Sequence, residues 1–417
     1  MSSPSTDFEI SQFYRHEYGR VLAHLTHKFG TAHIEQVEDA VQEAMYKAMQ
    51  AWPSQGIPIS PAGWIVRTAQ NFMLDGLRRQ QNFDQKHAQE WLRRGGELME
   101  ETVLDEELND DQLRMMFACC HPSLGEESQL YLTLKILGGF TNREVARALL
   151  KQEEAVAKGY TRAKKHLRDA GVHLEVPLGA GLMARLDQVL RVIYLLFNEG
   201  YNATAGEQLV RTDLCEEAMR LTQLLLDHAL LRKPQVHGLM ALMLFQTSRF
   251  PARQDGLGNL LTLENQDRSL WDQEMITKAN HHLDLATAFG QMHDYILQAG
   301  MASIHAMAAT FAQTNWHALL GLYTLQVKRN PNPVIRLNRV VVLQRALGAS
   351  EALAELDALS AFPTMQRYYL YHAIRADVLL DLGANDSARE TLRVAMDLTA
   401  NTRERQFLVE KMAQIPG

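Results

Sequence analysis

Three cysteines, Cys119, Cys120 and Cys215, are too few and too oddly placed for a disulfide scaffold. That usage fits a reducing compartment, and a cytoplasmic location is expected. No stretch approaches the ~18 uncharged apolar residues of a membrane helix. Met1 to Glu9 has no basic region followed by an apolar core. Neither a membrane span nor a secretory signal is therefore expected. Alternating apolar and polar residues are nearly absent, as are Asn-Gly turns, which removes sheet architectures. There is no Gly-x-x-x-x-Gly-Lys phosphate loop, no Gly-x-Ser-x-Gly elbow and no dinucleotide fingerprint. Their absence speaks against an ATP-driven regulator and against an enzyme, and no cofactor is expected. Basic charge is in deficit: 42 Lys and Arg face 49 Asp and Glu, a net charge of −7. A protein coated in basic charge is excluded; one basic patch on an acidic body is not.

What is present reads as helix. Of the 417 residues, 46% are hydrophobic, enough for sizeable cores and about three domains. Most prolines, among them Pro53, Pro58, Pro61, Pro122, Pro234, Pro333 and Pro363, fall between long periodic segments, where helices end. Val340 to Leu343 could pass for a strand, but it sits inside a longer helical pattern. The chain is expected to be all-α.

Charge divides the chain further. From Glu97 to Glu127 ten acids face one base, Arg114; from Thr141 to Gly171 eight bases face four acids. An acidic connector followed by a basic helical module marks a boundary, and Gly95-Gly96 punctuates the connector. Beyond Val176 the chain is one long helical tract. Leu347-Gly348 recurs as Leu382-Gly383, 35 residues on. A small-residue helix follows each, starting at Ser350 and Asp386. This period is close to that of tetratricopeptide helix-turn-helix units; a plain helical bundle is the alternative.

Three segments carry functional signals. Over 37–51, Val37, Ala40, Val41, Ala44, Met45 and Ala48 make one buried stripe. The other face carries Glu38, Asp39, Gln42, Glu43 and Lys47. Asp39 and Glu43 lie four apart on one strip, either a solvated face or a docking surface for a basic partner. Over 64–80, Ile65, Thr68, Ala69, Phe72 and Leu77 can face a core, while Trp64, Arg67, Asn71 and Arg78 fall near one line. That line could stack on unpaired bases and contact phosphate; Trp64 also suits a half-buried core position. Arg78 and Arg79 end this helix.

The third segment is a helix-turn-helix candidate. Gly138-Gly139-Phe140 breaks one helix, and Thr141-Asn142-Arg143-Glu144 has the capping-box form, with Phe140 and Val145 at the staple positions. After a turn at Lys151-Gln152, a second helix runs to about Ala170. Val156, Ala163 and Leu167 look inward; Lys158, Thr161, Arg162 and Lys165 look outward, as major-groove entry requires. Gly159 is unexpected inside a helix, costing ~1 kcal/mol against alanine. Cys119-Cys120-His121 lacks the spacing of a metal site and reads as buried thiols. His281-His282-Leu283-Asp284 lacks the spacing of a helical zinc site and reads as surface or interhelix polar packing. No metal is expected.

These residues resemble a known family. Val37-Glu-Asp-Ala-Val-Gln-Glu-Ala-Met and Trp64-Ile-Val-Arg-Thr-Ala-Gln-Asn-Phe-Met-Leu-Asp-Gly-Leu-Arg-Arg resemble region 2 of extracytoplasmic-function sigma factors. The module around Gly138 to Leu149 and Tyr160-Thr-Arg-Ala-Lys-Lys-His-Leu resembles their region 4. Phe117-Ala-Cys-Cys-His-Pro-Ser-Leu, Tyr194-Leu-Leu-Phe-Asn-Glu-Gly-Tyr and Asn332-Pro-Val-Ile-Arg-Leu-Asn-Arg resemble the subgroup with a large C-terminal helical-repeat extension. The resemblance implies a region-2 bundle over 1–82, an acidic linker over 83–107, a region-4 helix-turn-helix over 108–172 and a tetratricopeptide-like domain over 173–417.

It also implies partners: core RNA polymerase, through the clamp helices of its largest subunit and its flap, and promoter DNA. Asp39, Gln42 and Glu43 would dock on the clamp helices. Trp64, Arg67, Asn71, Arg78 and Arg79 would engage the opened minus-ten strand. Gln152, Lys158, Arg162 and Lys165 would lie at the minus-thirty-five element. The acidic connector would thread polymerase channels, and the extension would regulate in cis and offer a place for an unidentified protein or ligand. Glu153 and Glu154 depart from this pattern, placing two acids where DNA would approach, although they suit the helix dipole. Two other readings fit the residues alone: a ligand-sensing helix-turn-helix regulator acting without polymerase, and a peptide-binding scaffold.

Overall fold

The computed structural model describes residues 4–79, 101–149, 151–201, 212–255, 261–288, 290–399 and 402–415. Among them the regular elements are helices and no β-strand occurs, so the chain is all-α. It forms two compact units, Met1–Arg232 and Lys233–Gly417.

In the first unit, α1 (Pro4–Phe29), α2 (Ile34–Gln55) and α3 (Pro61–Arg79) pack side by side. On α2, Val37, Ala40, Val41, Ala44, Met45 and Ala48 are buried, the stripe that helical spacing predicts; Ile34 and Trp52 extend it. Gly56 ends α2 at φ 85°, its N–H donating to the Trp52 carbonyl. A proline in the first turn, Pro61, starts α3 where no donor is lost. Phe72 departs from expectation: it is 43% exposed, with Lys47 Nζ 5.9 Å from its ring. Met73 and Leu74 take the buried positions instead, because the α3 stripe rotates by one residue against α1 and α2.

The unit continues with α4 (Glu101–Cys119) and α5 (Glu126–Leu132), which runs into a π turn at Thr133–Leu137. Then come α6 (Asn142–Ala148) and α7 (Glu153–Asp169). The acidic connector, including Gly95-Gly96, lies mostly outside the described residues. The capping box forms: Thr141 Oγ1 accepts from Glu144 N at 3.2 Å, and Glu144 Oε2 accepts from Thr141 N at 2.7 Å. Phe140 and Val145 are both buried.

Gly159 now has a reason. A Cβ there would sit 2.3 Å from the Tyr131 ring, so glycine lets α5 and α7 approach closely. Two further helices, α8 (Ala180–Tyr201) and α9 (Thr212–Asp227), close the unit over α4. Arg185 Nη2 donates to the Phe117 carbonyl at 2.7 Å, and Arg220 Nη1 to Gln112 Oε1 at 3.3 Å.

In the second unit, α10 (Pro234–Thr247), α11 (Gln273–Thr287) and α12 (Asp294–Met307) form a three-helix group. The chain then folds through α13 (Trp316–Arg329), α14 (Pro333–Ala346), α15 (Ala349–Leu359), α16 (Pro363–Gln366), α17 (Tyr369–Asp381), α18 (Asn385–Leu398) and α19 (Thr402–Ala413). Both copies of Leu-Gly are hairpin turns: Gly348 (φ 118°) joins α14 to α15 and Gly383 (φ 74°) joins α17 to α18. The positive φ is what glycine supplies there. Val340 to Leu343 lies within α14, a helix.

Gly159→Ala should lower the stability of the chain by about 1–3 kcal/mol through overpacking against Tyr131, although alanine is the better helix former by ~1 kcal/mol. Chemical denaturation measures the sign.

Candidate nucleic-acid interface

The acidic strip of α2 stands out from the bundle. Asp39 and Gln42 are exposed and Glu43 is half-buried, 3.7 Å from Lys47 Nζ. Tyr46 and Met49, also exposed, continue the strip one turn on, so it is acidic at one end and apolar at the other. Glu38 behaves differently. It is only 7% exposed and turned inward, where Tyr160 and Lys164 of α7 both donate to its carboxylate. Burial and the neighbouring Glu38 push the Tyr160 hydroxyl well above its ordinary range, so that hydroxyl remains a donor.

On α3, Arg67 and Asn71 are exposed and Trp64 is half-buried. The Trp64 ring meets Trp52 edge-on, centroids 5.7 Å apart. Trp64 is thus both part of the core and open on one side. Arg78 and Arg79 occupy the last turn of α3; their side chains lie outside what is described. The segment entering α3 carries two residues that periodicity does not flag: Ile57 and Ile59, 72% and 96% exposed. A turn-rich stretch holding two isoleucines outside any helical stripe was the available signal.

The two helices α6 and α7 make a helix-turn-helix. Gln152, the N-cap of α7, and Lys158, Arg162 and Lys165 on the helix are all exposed, while Val156, Tyr160, Ala163 and Leu167 are buried. Gln152, Lys158, Thr161 and Arg162 line a shallow open groove that Glu154 also borders. Lys158 Nζ is 3.9 Å from Glu154, both highly exposed, so this pair adds little stability. Glu153 and Glu154 occupy the first turn, where the helix dipole favours them.

The remaining candidates hold no metal-type cluster among the described residues. Cys119, Cys120 and Cys215 are buried free thiols. Burial pushes Cys119 up, and it pushes Cys120 up to about 12. His282 packs against His237, Nδ1 to Nδ1 at 2.9 Å. Burial and that neighbour lower it to about 4, as befits interhelix polar packing. Among the described residues no helix is long and apolar enough to cross a membrane.

Comparison with known proteins places these features. Residues 13–83, covering the α2 strip and the α3 line, match the model of sigma-70 region 2. Residues 185–287 match a family of unknown function, DUF6596. An uncharacterized protein of Rhizobium meliloti (strain 1021) is 37% identical over 380 residues, covering 90% of this chain and 89% of its own. No solved structure matches the chain.

None of the three thiols should react with a maleimide at pH 7 while the chain is folded, and all three should react in denaturant. Mass spectrometry of the labelled chain reads the count.

Proposed function

The chain belongs to the sigma-70 family and shares a family with its Rhizobium meliloti relative, and from that premise we propose that it is an extracytoplasmic-function-type sigma factor. It binds core RNA polymerase, recognises promoters and starts transcription, with its own C-terminal helices as regulator. The observation that carries the reading is the pairing of an exposed acidic strip on α2 with an exposed basic face on α7, in one unit that includes region 2.

The chemistry divides among the elements. Asp39, Gln42 and Glu43 dock on the clamp helices of the polymerase largest subunit. Trp64, Arg67, Asn71, Arg78 and Arg79 hold the opened minus-ten strand: the guanidinium groups meet phosphate, and the open side of Trp64 stacks on an unpaired base. Capture of a flipped base offsets a few kcal/mol of unstacking. The exposed Ile57 and Ile59 stand beside this line and suit an apolar wedge at the melting step. The α7 face with Gln152, Lys158, Arg162 and Lys165 enters the major groove of the minus-thirty-five element.

Regulation in cis is supported by α8 and α9, which grip α4 through Arg185 and Arg220. The tetratricopeptide-like hairpins of the second unit would receive the signal. No catalytic role and no cofactor are assigned, and a cytoplasmic location follows from the polymerase partner.

In vitro transcription tests this. The purified chain with core polymerase should start promoter-specific transcripts and co-purify with core. Operator binding without polymerase would favour the ligand-sensing regulator instead. Replacing Lys158, Arg162 and Lys165 by alanine should flatten the slope of log affinity against log salt by roughly one unit per phosphate contact. An unchanged slope would place that face away from DNA.

A further inference from the structure

We infer that the second unit holds a binding site for a small oxyanion, a carboxylate or phosphate group, at Arg249, Arg268 and His305 around the indole of Trp271. The site is independent of the sigma-factor reading, since every residue in it belongs to Lys233–Gly417.

Four segments bring the site together. Arg249 lies just after α10, and Arg268 opens a short 3-10 turn, Arg268–Leu270, ahead of α11. His305 is in the last turn of α12, and Trp316 starts α13. The two guanidinium groups share one ring: Trp271 is buried, with Arg268 Cζ 4.8 Å and Arg249 Cζ 5.9 Å from its centroid. Arg268 is fixed in place, because its Nη1 donates to the carbonyls of His305 and Ala308 at 2.5 and 2.7 Å. The His305 imidazole packs edge-on against Trp316, centroids 5.8 Å apart.

What this centre lacks is an acceptor. Arg268 Nη2, Trp271 Nε1 and His305 Nδ1 are buried and have no hydrogen-bond partner among the described residues. The Trp271 ring offsets part of the guanidinium charge, but it leaves those N–H groups unmet. A buried donor without an acceptor is costly, and more so when charged. Three acids of the same loop have other partners. Asp267 Oδ1 accepts from Ser269 N and Oγ, Asp272 Oδ1 accepts from Met275 N, and Glu264 stands 3.4 Å from Arg345. Burial and the like charge of Arg249 both lower the Arg268 pKa. Burial and the two arginines push His305 down to about 4. Its ring is therefore neutral at pH 7, and the positive charge of the centre is carried by guanidinium.

That inventory selects the ligand. Guanidinium and indole N–H groups only donate, so the group they take must accept. Two neighbouring guanidinium groups also call for negative charge, in the planar or tetrahedral oxygen arrays that their fork fits. A carboxylate or a phosphate meets both demands; a metal ion or an ammonium group meets neither. Neutral His305 adds a donor in one of its two tautomers. Arg249, Arg268, His305 and Trp316 are each half-buried, so the cluster opens to solvent on one side. An oxyanion seated there joins the loop ahead of α11 to the end of α12.

Calorimetric titration of the full chain with inorganic phosphate, and separately with benzoate, at constant ionic strength tests the site. At least one of them should bind saturably, with unit stoichiometry and a Kd in the millimolar range or tighter. Phosphate alone assigns a phosphate group, benzoate alone a carboxylate, and both an oxyanion site of either kind. Arg268→Gln should weaken that binding roughly tenfold or more. Arg268→Lys, which keeps the charge and loses the fork, should restore only part of it. Independently, the bound anion should raise the His305 pKa from about 4 toward its ordinary value of about 6.5. At about pH 5 the His305 ring resonance, assigned with His305→Gln, should then move toward its protonated position. The unsubstituted chain suffices where a variant fails to fold. No saturable binding of either anion up to about 20 mM, binding undiminished in Arg268→Gln, or a His305 resonance that ignores the anion would each overturn the inference.

Discussion

Burial of one carboxylate organises the front half of this protein. Glu38 lies in the polar face of α2, where its neighbours Asp39, Gln42 and Glu43 meet solvent or its edge. It alone is covered, by Tyr160 and Lys164 from a helix more than 120 residues away in sequence. A buried acid without partners would be costly, and removing one partner of such a pair typically costs about 3–5 kcal/mol. Helix α7 is therefore positioned by its back face while its basic front face stays open. Asp111 on α4 repeats the arrangement against α1, with the Nδ1 atoms of His24 and His27 at 2.8 and 2.7 Å from its oxygens. Burial alone would raise its pKa, but the histidine contacts outweigh burial and hold the carboxyl well below the usual range. Asp111 is thus ionised at neutral pH, and its packing is stabilised by charge as well as by apolar contact.

Glycine and backbone bring neighbouring helices of the unit into close contact. Gly19 and Gly159 have no side chain because the Leu137 carbonyl and the Tyr131 ring occupy that space. The π turn at Thr133–Leu137 aims those carbonyls at α1. α4 is shared: it faces α1 through Asp111 and faces α8 and α9 through Phe117 and Gln112. Helices α8 and α9 thereby grip the same element that α1 contacts.

Much of this was legible from residue order. The α2 stripe, the capping box at Thr141 and Glu144, the outward basic face of α7 and the two Leu-Gly turns all depend on local periodicity or local backbone demands. Each can be read within a window of fewer than twenty residues. Asp39, Gln42 and Glu43 on α2, and Lys158, Arg162 and Lys165 on α7, lie on the sides that spacing assigned them. Phe72 was misjudged because its orientation depends on how α3 rolls against two other helices. Gly159 looked like a defect because its partner, Tyr131, lies 28 positions earlier on another element.

By itself, the sequence determined that this protein is helical, where its helices start and stop, and which faces are polar. Those properties follow from hydrogen bonding and side-chain spacing within single segments. Only the tertiary structure decided which polar residue of α2 stays exposed and which is a buried anchor. Glu38 and Asp39 are adjacent acids with the same local chemistry. What separates them is the arrival of α7 on one side of the helix, and burial is set by neighbours distant in the chain rather than by the residue itself.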